Sequence, residues 1–286
     1  MGAAWATAAL AGLDARADDG SGLDVRAVAV EGPAAFGGKF LLYAPRNTPV
    51  GVRFPLVVLL HGKGETSDFD LGRSAWEARY GLTSSVARLR HAPILATPHR
   101  SDWTAARLAA VNAELATRPY AGLAFACPFT PDLAKLPLPA ATLDRYAAWL
   151  ADVVVPAARA NAPVFGDAAR THLDGCSLGG FVGLEVFVRR PEAFGAWGGV
   201  QSAFGPQRAA PYAELLARIT QARPHALHVE TSEADPFRDA NVALSRELTA
   251  RRVPHELRLL PGQHDQPWLR EAGTIEMLHW HDRLPR

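Results

Sequence analysis

The chain has 286 residues, 48% of them hydrophobic, which is enough for one large domain with a substantial core. Thirty Lys and Arg against 29 Asp and Glu leave a formal net charge of +1, so there is no electrostatic basis for binding nucleic acid or an anionic membrane. No run reaches the roughly 18 consecutive apolar residues of a membrane-spanning helix, and two cysteines, Cys127 and Cys176, are too few for a disulfide scaffold or a four-thiolate metal site.

Residues 1–22 form an Ala-rich zone apart from the rest. Its apolar run and the Ala15-Arg16-Ala17 pattern fit a secretory signal, but no basic residue precedes Arg16, which fits an Ala-rich leader instead. Both a cytoplasmic and an exported chain are consistent with this. Residues 23–286 read as a single domain without repeats or linkers. Residues 24–30 and 39–43 are expected to be half-buried strands joined across Gly37-Gly38. The run Phe54-Pro55-Leu56-Val57-Val58-Leu59-Leu60 lacks alternation, as expected of a strand covered on both faces. Further strands are expected at 93–97, 122–128, 171–174, 197–201, 226–230 and 255–260, and the stretch 65–120 reads as an excursion able to cover a site. Helical spacing of apolar residues marks 143–160 and 239–251, the latter stopping near Pro254. Strands alternating with helices predict an α/β fold with a mostly parallel sheet and helices on both faces.

The segment Leu173-Asp174-Gly175-Cys176-Ser177-Leu178-Gly179-Gly180 holds a G-x-S-x-G motif between a strand and a helical run. A nucleophile in a strained strand-to-helix turn leaves no room for neighbouring Cβ atoms. Gly175 and Gly179 supply that space, and Gly180 and Gly183 are expected to let the helix approach the sheet. The helix amino terminus then offers the Leu178 N–H to an oxyanion. Cys176 reads as a small buried hydrophobe beside the nucleophile.

A serine hydroxyl needs a base, and with this elbow the chain order is Ser, then acid, then His. Of the downstream histidines, only His264 lies in a turn straight after a strand, in Pro261-Gly262-Gln263-His264-Asp265. His228 and His255 sit inside strand patterns and read as structural. His279 and His281 form an H-x-H pair with no further candidate ligands for a metal. The acid belongs in Thr231-Ser232-Glu233-Ala234-Asp235-Pro236-Phe237. Asp235 is placed best, with Glu233 and Asp239 as competitors. A second oxyanion donor is expected at the Lys63 N–H in His61-Gly62-Lys63-Gly64. Gln201, Ser202, Phe204, Phe237 and Trp268 are candidate pocket walls.

Together these pieces resemble an esterase family of the α/β-hydrolase fold that includes S-formylglutathione hydrolases, feruloyl esterases, siderophore esterases of the enterobactin type and mycolyltransferases. The resemblance rests on Leu59-Leu60-His61-Gly62, the segment from Asp174 to Gly180, Arg190-Pro191-Glu192-Ala193-Phe194-Gly195, Asp235-Pro236-Phe237 and Pro261-Gly262-Gln263-His264-Asp265, in order between about residues 40 and 270. The family commonly has His and Met where this chain has Cys176 and Leu178, and Gly where it has Ser232-Glu233-Ala234. It often places Trp beside the His-Asp pair, whereas here Trp268 follows three residues after Asp265. The resemblance implies a small-molecule ester substrate and a Ser177-His264-Asp235 triad. Neither a metal nor an organic cofactor is implied, since covalent catalysis by serine requires none. An oligopeptidase or acyltransferase using the same triad, and a non-catalytic binding protein on this scaffold, are the rival readings.

Overall fold

The computed structural model describes residues 19–133 and 140–286; the Ala-rich stretch through Asp18, with its Ala15-Arg16-Ala17 pattern, lies outside them. Eight strands are described: β1 (Leu23–Ala29), β2 (Lys39–Pro45), β3 (Leu56–Leu60), β4 (Ala124–Pro128), β5 (Thr171–Gly175), β6 (Ala196–Val200), β7 (Ala226–Ala234) and β8 (Glu256–Gln263). They form one sheet in the order β1-β2-β4-β3-β5-β6-β7-β8. The β1–β2 and β2–β4 pairs are antiparallel, and every pair from β4 to β8 is parallel.

Helices cover both faces, and the side chains of β3 divide between them with the two-residue period of a strand. Leu56, Val58 and Leu60 enter one core with α4 (Ala140–Trp149), α5 (Val155–Asn161), α6 (Leu178–Arg189), α7 (Ala209–Ala222) and α8 (Arg238–Ala250). Val57 and Leu59 enter the other, with α1 (Phe69–Ala78), α2 (Leu82–Arg90), α3 (Ala105–Thr117) and α10 (Thr274–Arg283). The short helix α9 (Gln266–Trp268) runs into α10 through a π-helical turn, Leu269–Gly273. No helix among the described residues is long and apolar enough to cross a membrane.

Three expectations are revised. Residues 93–97 are irregular rather than a strand. Their backbone finds side-chain partners instead of a ladder: Ile94 donates its N–H to Asn112 Oδ1 and accepts from Asn112 Nδ2, and Thr97 donates to Glu271. Residues 143–160 are helical but pass through a π-helical turn, Leu150–Val154, just before Pro156. Pro156 has no N–H for the carbonyl of Asp152 and its ring crowds it, which widens the helix there. Strands β7 and β8 run farther than their apolar residues alone indicate, to Ala234 and Gln263. β8 lies at the sheet edge, where Pro261 breaks no ladder on its open side.

All strands from β3 to β8 share one direction, so the carboxyl ends of β3, β5, β7 and β8 open onto the same edge of the sheet. That edge is where an open parallel sheet presents a ligand crevice.

Candidate active site

Ser177 follows the last residues of β5 and opens α6 with φ 54° and ψ −115°, a left-handed region that a residue with a Cβ rarely occupies. Its surroundings hold it there. The Ser177 N–H donates to Val200 O at 2.8 Å, and its carbonyl accepts from Ala203 N at 2.9 Å and Phe181 N at 3.1 Å. The close packing behind the turn is what demands glycine. A Cβ on Gly179 would lie 2.1 Å from Leu60 O, and one on Gly175 would lie 2.5 Å from Gly179 C. At Gly183 the expectation fails, because a Cβ there would meet nothing closer than 3.6 Å.

β8 delivers His264 directly after its last residue, and β7 delivers Asp235 directly after its own. His264 Nε2 stands 3.0 Å from Ser177 Oγ, and His264 Nδ1 stands 2.8 Å from Asp235 Oδ1. The Asp235 side chain is fully buried, yet its lone pairs are filled. Oδ1 also accepts the Phe237 N–H at 2.9 Å, and Oδ2 accepts the Thr231 hydroxyl at 2.6 Å. A carboxylate only accepts, so Nδ1 carries the imidazole hydrogen and Nε2 is left free to accept from Ser177. Glu233 and Asp239, the competing acids, are exposed and take no part in this chain. Glu233 offers its carbonyl, and Asp239 its carboxylate, to Arg238.

Leu178 is the first residue of α6, and Lys63 the first of a 3-10 turn, Lys63–Glu65, that follows β3. Neither N–H has an acceptor inside its own element, as holds for the first residue of any helix. Leu178 follows Ser177 directly, and Lys63 and Ser177 both line a cleft of about 150 Å³ with Glu65, Tyr80, Gln201, His264 and Gln266, among others.

Gln201 does line the cleft, as expected. It is buried and donates through Nε2 to Ser232 Oγ at 2.7 Å and Gln263 O at 3.0 Å, tying the ends of β6, β7 and β8 together. Ser202 supports the elbow from behind; its carbonyl accepts from Asn241 Nδ2. Phe204 is not a cleft residue. It packs edge-on against Tyr212 in the core beneath α6 and α7. Nor is Trp268, which is fully buried in the opposite core and donates to Pro261 O at 2.8 Å. Its large apolar ring is better satisfied by the core than by a water-filled cleft. Phe237 is half-buried and sits edge-on to the His264 ring at 5.5 Å, outside the cleft.

His228, His255, His279 and His281 have structural partners. His228 stacks on Trp280 at 4.8 Å, and His255 bonds Ser245 Oγ and Val253 O. His281 faces Asp174 at 2.9 Å and His279 faces Glu114 at 3.4 Å, so the H-x-H pair points two ways. Among the described residues no group of three or more His, Cys, Asp or Glu is arranged to hold a metal. Sequence reasoning assigned nothing to Glu65, Tyr80 or Asp174. Glu65 and Tyr80 line the cleft, while Asp174 is buried beneath the elbow, where its Oδ1 accepts the Gly175 N–H at 2.6 Å. A lone carboxylate inside the apolar run before the elbow was the available signal for Asp174.

No protein-family model matches the chain, and no curated protein matches it in sequence. Solved structures do resemble it. A ferulic acid esterase superposes with a TM-score of 0.65 at 15% identity, covering 92% of this chain and 98% of that one. An S-formylglutathione hydrolase from Staphylococcus aureus gives 0.62 at 12% identity, covering 91% of this chain and 100% of that one. The enterobactin esterase of Shigella flexneri, solved with enterobactin, gives 0.58 at 17% identity, covering 90% of this chain and 58% of that one. The likeness is one of architecture: the chain has the α/β-hydrolase fold.

Proposed function

We propose that residues 23–286 form a serine esterase acting on a small-molecule carboxylic ester. The observation that carries this reading is the unbroken chain Ser177 Oγ, His264 Nε2, His264 Nδ1, Asp235 Oδ1, with links of 3.0 and 2.8 Å. Ser177 attacks the ester carbonyl as His264 removes its proton. Asp235 holds the imidazole in the required tautomer and stabilises the imidazolium without itself taking the proton. The N–H groups of Leu178 and Lys63 receive the negative charge that develops on the carbonyl oxygen. The same imidazolium protonates the departing alkoxide, and His264 then activates a water molecule that cleaves the acyl-enzyme.

An ester is the acyl donor chosen because two of the three structural neighbours described above are named esterases. A cleft of about 150 Å³, walled by Glu65, Gln201 and Gln266, favours a short acyl group over a long aliphatic one. The test is hydrolysis of p-nitrophenyl acetate, butyrate and octanoate by the wild type, Ser177→Ala and Asp235→Asn. Ser177→Ala is expected to lower kcat by roughly 10⁶-fold and Asp235→Asn by roughly 10⁴-fold, with acetate preferred to octanoate. Wild-type rates in Ser177→Ala end the proposal.

A further inference from the structure

One buried carboxylate at the cleft is left over by this chemistry. Glu65 closes the 3-10 turn that Lys63 opens, and it is only 4% exposed. No Lys or Arg among the described residues pairs with it. Its partners are instead a hydroxyl and an amide. Tyr80 donates its hydroxyl hydrogen to Glu65 Oε2, and Gln266, two residues past His264, donates Nε2 to Oε1 at 3.3 Å.

The direction of the first bond matters. A phenol has one hydrogen. Because that hydrogen goes to the carboxylate, the Tyr80 oxygen keeps its lone pairs for the Gly62 N–H, which lies 3.1 Å away. Tyr80 is itself immobilised. It is 3% exposed, its ring meets Trp76 edge-on at 5.2 Å, and its carbonyl accepts the Thr274 hydroxyl at 2.7 Å. Burial, with the nearby Cys176 and Glu65, pushes the phenol far above its ordinary value, so it keeps its hydrogen. Gly62 thus has its N–H fixed on a rigid oxygen. The next N–H along the chain is that of Lys63, the donor assigned above to the oxyanion. An N–H already given to Tyr80 does not compete for the oxyanion, and because the Gly62 carbonyl, in the same peptide plane as the Lys63 N–H, is held by His61 Nδ1 at 2.8 Å, both peptide planes that meet at Gly62 are anchored.

We infer that Glu65 and Tyr80 are positioning residues, which orient the Lys63 N–H toward the oxyanion by anchoring the preceding Gly62 N–H. The inference rests on the serine-esterase reading and extends it to the segment between β3 and β4. Glu65 acts at two points, since Gln266 links it to the loop that carries His264. Neither side chain touches the reacting atoms.

The test uses Tyr80→Phe and Glu65→Gln in the full chain. Tyr80→Phe removes one oxygen and keeps the ring against Trp76. Glu65→Gln keeps the shape and removes the charge that sets the direction of the Tyr80 hydrogen. For each variant kcat and KM are measured on p-nitrophenyl acetate, together with Ki for an alkyl boronic acid, whose serine adduct is tetrahedral, and Ki for a carboxylate product. Loosening one oxyanion donor is expected to lower kcat by roughly 10- to 100-fold. KM is expected to stay within a factor of about two, the boronate Ki to rise in step with the fall in kcat, and the carboxylate Ki to stay unchanged. Wild-type kcat in Tyr80→Phe overturns the inference, and so does a fall in kcat with an unchanged boronate Ki, which is what a packing role alone produces. Should Glu65→Gln fail to fold, Tyr80→Phe decides. A Ser177→Ala protein that retains activity refutes the underlying reading instead, so the two failures are distinct.

Discussion

Replacing His61 with Gln is expected to remove about 2 kcal/mol of the protein's acid sensitivity between pH 7 and pH 5. His61 is fully buried where β3 gives way to the loop that starts at Gly62, and both ring nitrogens are engaged. Nδ1–H donates to Gly62 O at 2.8 Å, while Nε2 accepts the Thr130 N–H at 2.9 Å. That pattern admits only the neutral ring, since a hydrogen on Nε2 would face the Thr130 N–H. Burial accordingly lowers the His61 pKa from 6.5 to about 4, against the opposing pull of Gly62 O. Between those values the unfolded chain binds a proton that the folded chain refuses, so stability is lost as the pH falls through this window and the loss levels off below 4. For one group shifted this far, the linkage relation gives about 0.2 kcal/mol lost at pH 7 and about 2 kcal/mol at pH 5, a difference of about 2 kcal/mol. Gln at this position retains an acceptor and a donor and does not titrate. Urea unfolding of wild type and His61→Gln at the two pH values isolates the effect, because His172, His228, His279 and His281, also lowered by burial, contribute equally to both proteins. If both proteins lose the same stability between pH 7 and pH 5, the reasoning is refuted, whatever the variant costs at pH 7.

Two further outcomes follow from packing. Gly179→Ala brings a Cβ within 2.1 Å of Leu60 O and 2.7 Å of His61 O, both rigid backbone atoms. It is expected to cost about 3 kcal/mol or more in urea unfolding and to abolish turnover, whereas Gly183→Ala, open to 3.6 Å, is expected to be neutral or to stabilise α6 by up to about 1 kcal/mol. Cys127 and Cys176 are both buried, and burial raises each thiol above its ordinary range. A thiol reagent at pH 8 is therefore expected to leave the native protein unmodified and active and to react with two thiols in urea; rapid native labelling would contradict the burial of Cys176 beside Ser177.

Those elements governed by one local rule were readable from the chain. β3 has apolar side chains on both faces because it lies between β4 and β5, and an unbroken apolar run is how that burial appears in sequence. The three residues of the proposed triad were legible as candidates because each follows a strand end, marked by Gly175, by Asp235-Pro236 and by Gly262. Residues 93–97 misled because an apolar pentapeptide has the composition of a strand, and its true partner, the Asn112 side chain, lies 18 residues away. Phe204 and Trp268 misled because nearness in sequence to a candidate catalytic residue says nothing about which face of the sheet a side chain enters. Glu65 and Tyr80 were unreadable for a stricter reason. Their role depends on the direction of one hydrogen bond between residues 15 apart, and no spacing rule encodes direction.

Asp174 carries the same lesson below the elbow. The carboxylate fits only because Gly198 on β6 lacks a Cβ, which would lie 1.9 Å from Asp174 Oδ2; that pairing is invisible until β5 and β6 are known to be neighbours. Burial raises the Asp174 pKa and lowers that of His281 to about 3, so each partner favours its neutral form. Asp174 Oδ2 shares a hydrogen bond of 2.9 Å with His281 Nε2, His281 Nδ1 meets His172 Nδ1 at 3.2 Å, and Asp174 Oδ1 accepts the Gly175 N–H at 2.6 Å. In the proposed mechanism the partner of an imidazolium at His264 is therefore Asp235, whose two oxygens accept from three donors, rather than the carboxyl group buried below the elbow.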